Sequence, residues 1–384
     1  MSDTLKDVPR IRILSYNMFM RPFVNTNGND YKPERLKLFM ENETHKFDVL
    51  CLQELFSMGG HNRKYELIEG SKKHGLLYST SLNGSWLSLK PIDSGLLILT
   101  KYPILDKDAI VFQEGADIDG WSTKGAISAL VSVPTEDEHD EIKMLIVNTH
   151  TQAEYSTEDP KYYDIQRKQI EEVRQFIIKK HKQFPKAPII LCGDFNINAR
   201  TSALSTGEDS TEAYKTLVSR LNFEEGEEWK DLIYEKMGHH PVTFGDGDLT
   251  EGSQEIIPKE TVLTGKEELG TRTRLDYMFY HKHCPRHHEH AINQAKPDTR
   301  EDIKKKAVLV IDASVQPFFV EDQEFTQLSD HYGISAELGI IERNHHLFDN
   351  TKTFILENQF HHGEEVDVAD VITERHTIHF HEKN

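Results

Sequence analysis

The sequence predicts an α/β protein, and two observations carry that reading. Apolar runs of strand character recur along the chain, at 11–17, 47–54, 144–150 and 189–196. Between the last two, residues 160–183 carry Ile165, Ile170, Val173, Phe176 and Ile177 mostly three or four apart, the one-face pattern of an amphipathic helix. A chain of 384 residues, 37% hydrophobic and 28% charged, can fill a two-sheet sandwich with flanking helices.

Taken in order, residues 1–9 read as a loose tail, and 10–17 as the first strand. An apolar loop, 18–23, follows; it either packs under its neighbours or forms a lip beside a site. Pro33 near the start of 31–40 marks a helix. A strand ends at Gln53-Glu54, residues 61–77 suggest a helix, 78–89 a pair of short strands, and 93–100 a strand opened by a small-residue turn. Tyr102-Pro103-Ile104 reads as a loop, 126–133 as a strand and 134–141 as an acidic hairpin tip. Pro185 and Pro188 end the long helix before the 189–196 strand. Then come a polar loop at 200–211, a helix at 212–221, a solvated acidic turn at 224–228 and a flexible polar stretch at 245–259. Residues 308–315 and 334–340 read as strands, and short strand-like runs within 345–384 as a small β appendage.

The run Ile189-Ile190-Leu191-Cys192-Gly193-Asp194-Phe195-Asn196 organises the rest. Residues two apart in a strand point to the same side, so Asp194 and Asn196 both face what lies beyond the strand end, where Gly193 permits close backbone approach. A carboxylate beside a carboxamide can hold a water near a metal and an anionic oxygen. Other strand-like runs end in matching chemistry: Asn17, Gln53-Glu54, Asn148-x-His150, Asp276 within 274–280, and Ser329-Asp330-His331.

This order of motifs resembles the endonuclease/exonuclease/phosphatase superfamily, and within it the neutral sphingomyelinases, sphingomyelinase C-like phosphodiesterases, over roughly residues 10–340. The resemblance implies a four-layer α/β sandwich of the DNase I-like type, two packed mixed sheets flanked by helices. It places the catalytic domain at 10–342, with 343–384 as a C-terminal extension. The activity implied is hydrolysis of sphingomyelin or a related sphingolipid to ceramide and a phosphorylated head group. Glu54 would be the leading metal ligand, with Asn17 and Asp330 completing or orienting the shell; hard oxygen donors suit Mg²⁺, with Mn²⁺ or Co²⁺ as substitutes. His331 would be the general base, oriented by Asp276. Asp194 would position the attacking water, Asn196 would donate to phosphate, and His150 would stabilise the pentacovalent transition state. Asp119 and Lys124 match a pattern in which an Asp–Lys pair switches a mobile loop near the site. A metal-dependent DNase or abasic-site endonuclease and an inositol polyphosphate phosphatase are the alternatives; the latter branch has Trp-Cys-Asp-Arg where this chain has Arg274-Leu275-Asp276-Tyr277. A decayed homologue used only for binding would be expected to have lost Glu54 or His331.

Charge separates these readings. The net charge is −19 and the one Lys cluster is Lys304-Lys305-Lys306, which argues against phosphate-gripping nucleic-acid binding. Anionic membranes are also repelled, so the partner expected is a zwitterionic sphingolipid at a membrane surface, touched peripherally; no protein partner is implied. Choline recognition would use an aromatic cage, for which Tyr16, Trp86 and Trp121 are candidates. The segment 281–290 holds five histidines and Cys284, but its spacing fits no standard zinc pattern. It is polar where secreted bacterial sphingomyelinases carry an apolar hairpin. No run of about 18 apolar residues occurs, residues 1–9 lack an apolar signal core, and Cys51 and Cys192 sit inside apolar strands. Cytoplasmic residence is therefore expected, with secretion left open.

Overall fold

Strands buried on both faces read as continuous apolar runs, and the central strands here do so because each separates two cores. In β1 (Arg10–Asn17) Ile11 and Ile13 face one core while Leu14 and Tyr16 face another. In β2 (Val49–Gln53) the same division sets Val49 and Cys51 against Leu50 and Leu52. The remaining strands are β3 (Tyr78–Ser81), β4 (Leu97–Thr100), β5 (Ile104–Val111), β6 (Gly125–Pro134), β7 (Glu141–His150) and β8 (Ile189–Asp194). They continue with β9 (Trp229–Asp231), β10 (Gly247–Leu249), β11 (Ile256–Pro258), β12 (Asp276–His281), β13 (Lys306–Gln316) and β14 (Gly333–Glu342). The helices are α1 (Lys32–Asn42), α2 (Arg63–Ser71), α3 (Pro160–Gln183), α4 (Glu212–Leu221) and α5 (Leu232–Met237). This computed structural model describes residues 8–22, 25–56, 62–82, 92–135, 141–156, 159–222, 229–250, 252, 255–281 and 306–342.

Two six-stranded sheets result, ordered β13-β14-β1-β2-β4-β3 and β5-β6-β7-β8-β12-β9, beside a two-stranded β10-β11 hairpin. Ile11, Ile13, Val49, Cys51 and Ile98 of the first sheet meet Ile127, Ala129, Ile146, Ile190, Cys192 and Met278 of the second, forming the inter-sheet core. Outside the first sheet Leu36, Phe39 and Leu67 of α1 and α2 cover Leu14, Tyr16 and Leu50. Outside the second, α3 and α4 cover Leu145, Ile189 and Leu191 with Ile170, Val173, Ile177 and Leu217. The order helix, sheet, sheet, helix is the four-layer α/β sandwich expected.

Among the described residues two strand pairs within the sheets are parallel, β1 with β2 and β7 with β8. Parallel neighbours need a crossover, which α1 supplies in the first sheet and α3 in the second. The α3 start is fixed by Asp159, whose side chain accepts from Lys161 N, and by Pro160 in the first turn.

Several expectations need correction. Residues from Ile104 onward form β5, an edge strand half-exposed along its length, so its apolar signal is weak. The stretch 245–259 is not featureless: it carries the β10-β11 hairpin. The loop after β1 packs inward, with Met18, Phe19 and Met20 all buried; Phe23 lies outside the described residues. Val8 is buried and the Pro9 carbonyl accepts from Ile340 N, so packing begins before β1. Residues 83–89, the tip 136–140, the turn 224–228, the segment 282–290, Lys304, Lys305 and the extension 343–384 lie outside the described residues.

Behind β12 a polar knot replaces apolar packing. The buried Arg274 donates to Asp231 Oδ1 at 2.7 Å and to His240 Nδ1 at 2.8 Å, with its guanidinium 4.7 Å from the Tyr277 ring. A guanidinium only donates, so the His240 ring is neutral, with its proton on Nε2 facing Ser210 Oγ at 2.8 Å. Burial, then Arg274, pushes the His240 pKa down to about 4. An unfolded histidine titrates near 6.5, so between those values the unfolded chain holds more protons and stability falls as pH drops from about 6.5 toward 4. Urea midpoints of wild type and His240→Gln across that window should show a flatter pH slope in the variant. Parallel slopes would mean that His240 is not a source of the acid sensitivity.

Candidate active site

The topology brings one end of many strands together. The parallel β1, β2, β7 and β8 end where their antiparallel neighbours β12 and β14 begin. Asn17, Glu54, His150 and Asp194 therefore converge from strand C-termini, and Asp276, Asp330 and His331 from strand starts. Ligands of open α/β sheets sit beyond carboxyl strand ends for the same geometric reason. The registers are specific: Asp194 lies opposite both His150 and Asp276.

Local chemistry then sets the geometry. Asn17 Nδ2 donates to Asp194 Oδ2 at 2.9 Å and to Glu54 Oε1 at 3.3 Å, so one amide spans the two sheets and orients both carboxylates. Its oxygen accepts from Phe19 N at 3.0 Å, which turns that atom toward the backbone. A second bridge lies beneath, where Gln53 Nε2 donates to Asn148 Oδ1 at 2.7 Å and Asn148 Nδ2 donates to Leu52 O at 2.9 Å. His331 Nδ1 lies 3.0 Å from Asp276 Oδ2, and its Nε2 3.8 Å from Asp194 Oδ2. The Phe244 ring, 4.8 Å away, covers the imidazole, and Thr243 Oγ1 accepts from Leu275 N at 3.0 Å. Gly193 is required: a Cβ there would stand 2.0 Å from Thr149 O, at a φ of 147°.

On the opposite flank Lys124 Nζ lies 2.9 Å from Asp119 Oδ2, 2.8 Å from Thr151 O and 3.0 Å from His150 Nε2. The expected Asp–Lys pair is thus present, and it extends to the histidine. An ammonium only donates, so His150 Nε2 accepts and its proton is on Nδ1. Asn196, in the left-handed region at φ 50°, donates through Nδ2 to Thr151 O at 3.1 Å, while its backbone N–H donates to Asp194 Oδ1 at 2.9 Å.

Burial dominates the electrostatics. It pushes Asp194 up to about 6 and Asp330 up to about 7. It lowers His150 well below its ordinary value, and the Lys124 charge adds to that. For His331 burial acts downward, but Asp276 and Asp194 together raise its pKa well above the usual histidine value.

The residues fit a divalent cation. Glu54 Oε2 is buried without a hydrogen-bond partner, Asp330 is buried nearby in its field, and both are hard oxygen donors. Asp194, Asp276 and His331 also offer atoms within 4.8 Å of one another.

Some site features were not legible. Arg21 Nε lies 4.0 Å from Glu54 Oε2, though its sequence context read as an apolar loop. Arg35, buried in α1, donates to Met18 O, Phe19 O, Asp30 O and Leu328 O, and so ties the loops after Asn17 and before Asp330 to one helix. Of the aromatic-cage candidates, Tyr16 is wholly buried against Phe39 and Phe318 and cannot serve; Trp121 is 66% exposed; Trp86 lies outside the described residues. From the histidine-rich segment only His281 is described, buried against Trp229.

A two-sheet sandwich that gathers carboxylates, amides and paired imidazoles at its strand ends defines a phosphoester-hydrolysing enzyme. The chain belongs to the Endonuclease/Exonuclease/phosphatase family, matched over residues 14–331. It is similar to a sphingomyelinase of Dictyostelium discoideum, at 31% identity over 77% of this chain and 72% of that one. It is also similar to a phospholipase C of Staphylococcus aureus, at 26% identity over 87% and 89%. A beta toxin variant from Staphylococcus aureus, solved with bound magnesium ions, shares the fold at a TM-score of 0.53 and 22% identity, over 85% of this chain and 99% of that one. The protein is an enzyme of this family, a phosphodiester hydrolase.

Proposed function

We propose that the protein is a divalent-cation-dependent phospholipase C of the sphingomyelinase type, releasing a phosphorylated head group and ceramide from sphingomyelin or a related sphingolipid at a membrane surface. Similarity to a sphingomyelinase across most of both chains carries this reading. Glu54 and Asp330 would hold the cation, Mg²⁺ by preference for hard oxygens, with Asn17 orienting Glu54. The cation, when bound, supplies positive charge that polarises a phosphoryl oxygen and offsets the acidic field around His331.

His331 takes a proton from the attacking water at Nε2, the nitrogen facing Asp194, while Asp276 holds Nδ1. Asp194 orients that water. Lys124 supplies the cation that meets negative charge building on the phosphoryl group, and His150, whose Nε2 accepts from that ammonium, holds it there. Asn196 flanks them as the remaining amide donor to phosphate. A role for the Asp119–Lys124 pair as a loop switch belongs to the same proposal, as does cytoplasmic residence with peripheral membrane contact. No helix among the described residues is long and apolar enough to cross a membrane.

The test sets sphingomyelin vesicles against plasmid DNA, each with Mg²⁺ and with EDTA. Phosphocholine release abolished by EDTA, with DNA intact, is expected. DNA nicking without lipid turnover would move the substrate to nucleic acid and overturn the lipid reading.

A further inference from the structure

An open cavity of about 210 Å³, lined by Arg21, Asn25, Asn29, Lys32, Pro33 and Arg63, adjoins the catalytic centre at Arg21 and takes no step in the reaction just described. Its size lies below the ~300 Å³ at which drug-sized ligand pockets begin, so it suits a small polar group. Three of its six lining residues are cationic, in a chain whose net charge is −19. Cations held together draw negative groups to them, and an anion entering the space between them would meet donors from three sides.

Carboxylates answer two of these charges and leave the third, Arg63, without a partner among the described residues. Lys32 Nζ lies 3.0 Å from Asp30 Oδ2 and donates to Asn25 Oδ1 at 2.7 Å, so its charge is largely answered. Arg21 is fixed by stacking on the Phe19 ring, 4.3 Å away, and by donating from Nη2 to Thr26 Oγ1 at 2.9 Å. Its Nε is buried without a hydrogen-bond acceptor, and Glu54 at 4.0 Å, with Asp330 and Asp30 near, holds the guanidinium charged. Arg63, half-buried at the first position of α2, has no ion-pair partner among the described residues. At the neighbouring wall α1 begins without a side-chain cap, leaving first-turn N–H groups without that partner. Guanidinium forks match tetrahedral oxyanions in geometry as well as charge.

We infer that this cavity is an anion-binding subsite beside the catalytic centre, taking a phosphate-class anion between Arg63, Arg21 and Lys32. The anion comes either from the head group of an anionic lipid or from free phosphate; the subsite does not depend on which phosphodiester the enzyme cleaves.

The experiment uses the full chain in EDTA, so that the acidic catalytic centre repels the probe. Inorganic phosphate is titrated calorimetrically into wild type, Arg63→Gln and His331→Ala. Saturable binding, weakened about ten-fold or more in Arg63→Gln and unchanged in His331→Ala, is expected. Equal binding in wild type and Arg63→Gln overturns the inference. So does loss in His331→Ala alone, which would seat the anion in the catalytic centre and leave the hydrolase reading standing. Phosphatidylcholine vesicles with and without a tenth of phosphatidic acid form the second arm. Co-sedimentation that needs phosphatidic acid and Arg63 assigns the subsite to a lipid head group; phosphate binding without it assigns a soluble anion. If neither probe binds, the subsite does not exist.

Discussion

Replacing His331 with alanine is expected to lower kcat by about 10²–10⁴-fold, the range general-base catalysis contributes, with a smaller change in KM. The polar partners of the imidazole, Asp276 and Asp194, belong to the site itself, and the Phe244 ring packs on its face, so its removal withdraws the base more than the fold. Circular dichroism and a cooperative urea transition check that the variant is folded. Turnover near the wild-type value would remove His331 from the reaction. Asp276→Asn separates orientation from chemistry. The Asp276 carboxylate raises the His331 pKa, so its loss lowers that pKa, and the ring becomes neutral at lower pH. The acidic limb of the pH–rate profile should therefore move to lower pH in Asp276→Asn while kcat falls. A fall in kcat with an unmoved limb would show that Asp276 acts only as a structural contact.

Much of this centre was legible because its parts sit at the ends of contiguous apolar runs, where periodicity breaks into polar residues at a definite position. Asp194, His150, Asn17 and Glu54 are all of this kind, and parallel pairing then forces them to one edge. Contacts formed by side chains reaching between distant segments left no such mark. Arg35 is a charged residue inside a helix, and only the tertiary structure reveals that its guanidinium serves four carbonyls. The Lys124–His150 contact, which fixes an imidazole tautomer, joins the start of β6 to the end of β7 through side-chain reach. Tyr16 could have been assigned correctly from alternation: Ile11 and Ile13 face the inter-sheet core, so Leu14 and Tyr16 face the helices. β5 was missed for the opposite reason, since an edge strand with one wet face carries a diluted pattern.

Asp231→Ala is expected to cost about 3–5 kcal/mol of folding stability, the range for removing one partner of a buried ion pair. Asp231 and Arg274 are 6% and 0% exposed, and their 2.7 Å contact is the main answer to the guanidinium charge. His240 beside it is neutral and cannot replace a carboxylate. The same substitution strips Tyr214 of the acceptor for its hydroxyl, 2.9 Å from Asp231 Oδ2. Arg274 also stands at the mouth of β12: its N–H donates to Asn198 Oδ1 at 3.1 Å, and its carbonyl accepts from Ala199 N and the Tyr277 hydroxyl. Loosening it therefore moves the strand start that presents Asp276 to His331, so kcat should fall along with stability. The double variant Asp231→Leu with Arg274→Met removes both charges and should recover much of the urea stability lost by Asp231→Ala alone, because the penalty of the single variant is an unpaired buried charge rather than the loss of a favourable bond. Equilibrium urea unfolding of wild type, single and double variants decides it. A single variant within about 1 kcal/mol of wild type, the range of exposed pairs, would show that the knot does not hold the strand. A double variant no better than the single would show that the ion pair itself, not the relief of a stranded charge, stabilises the fold.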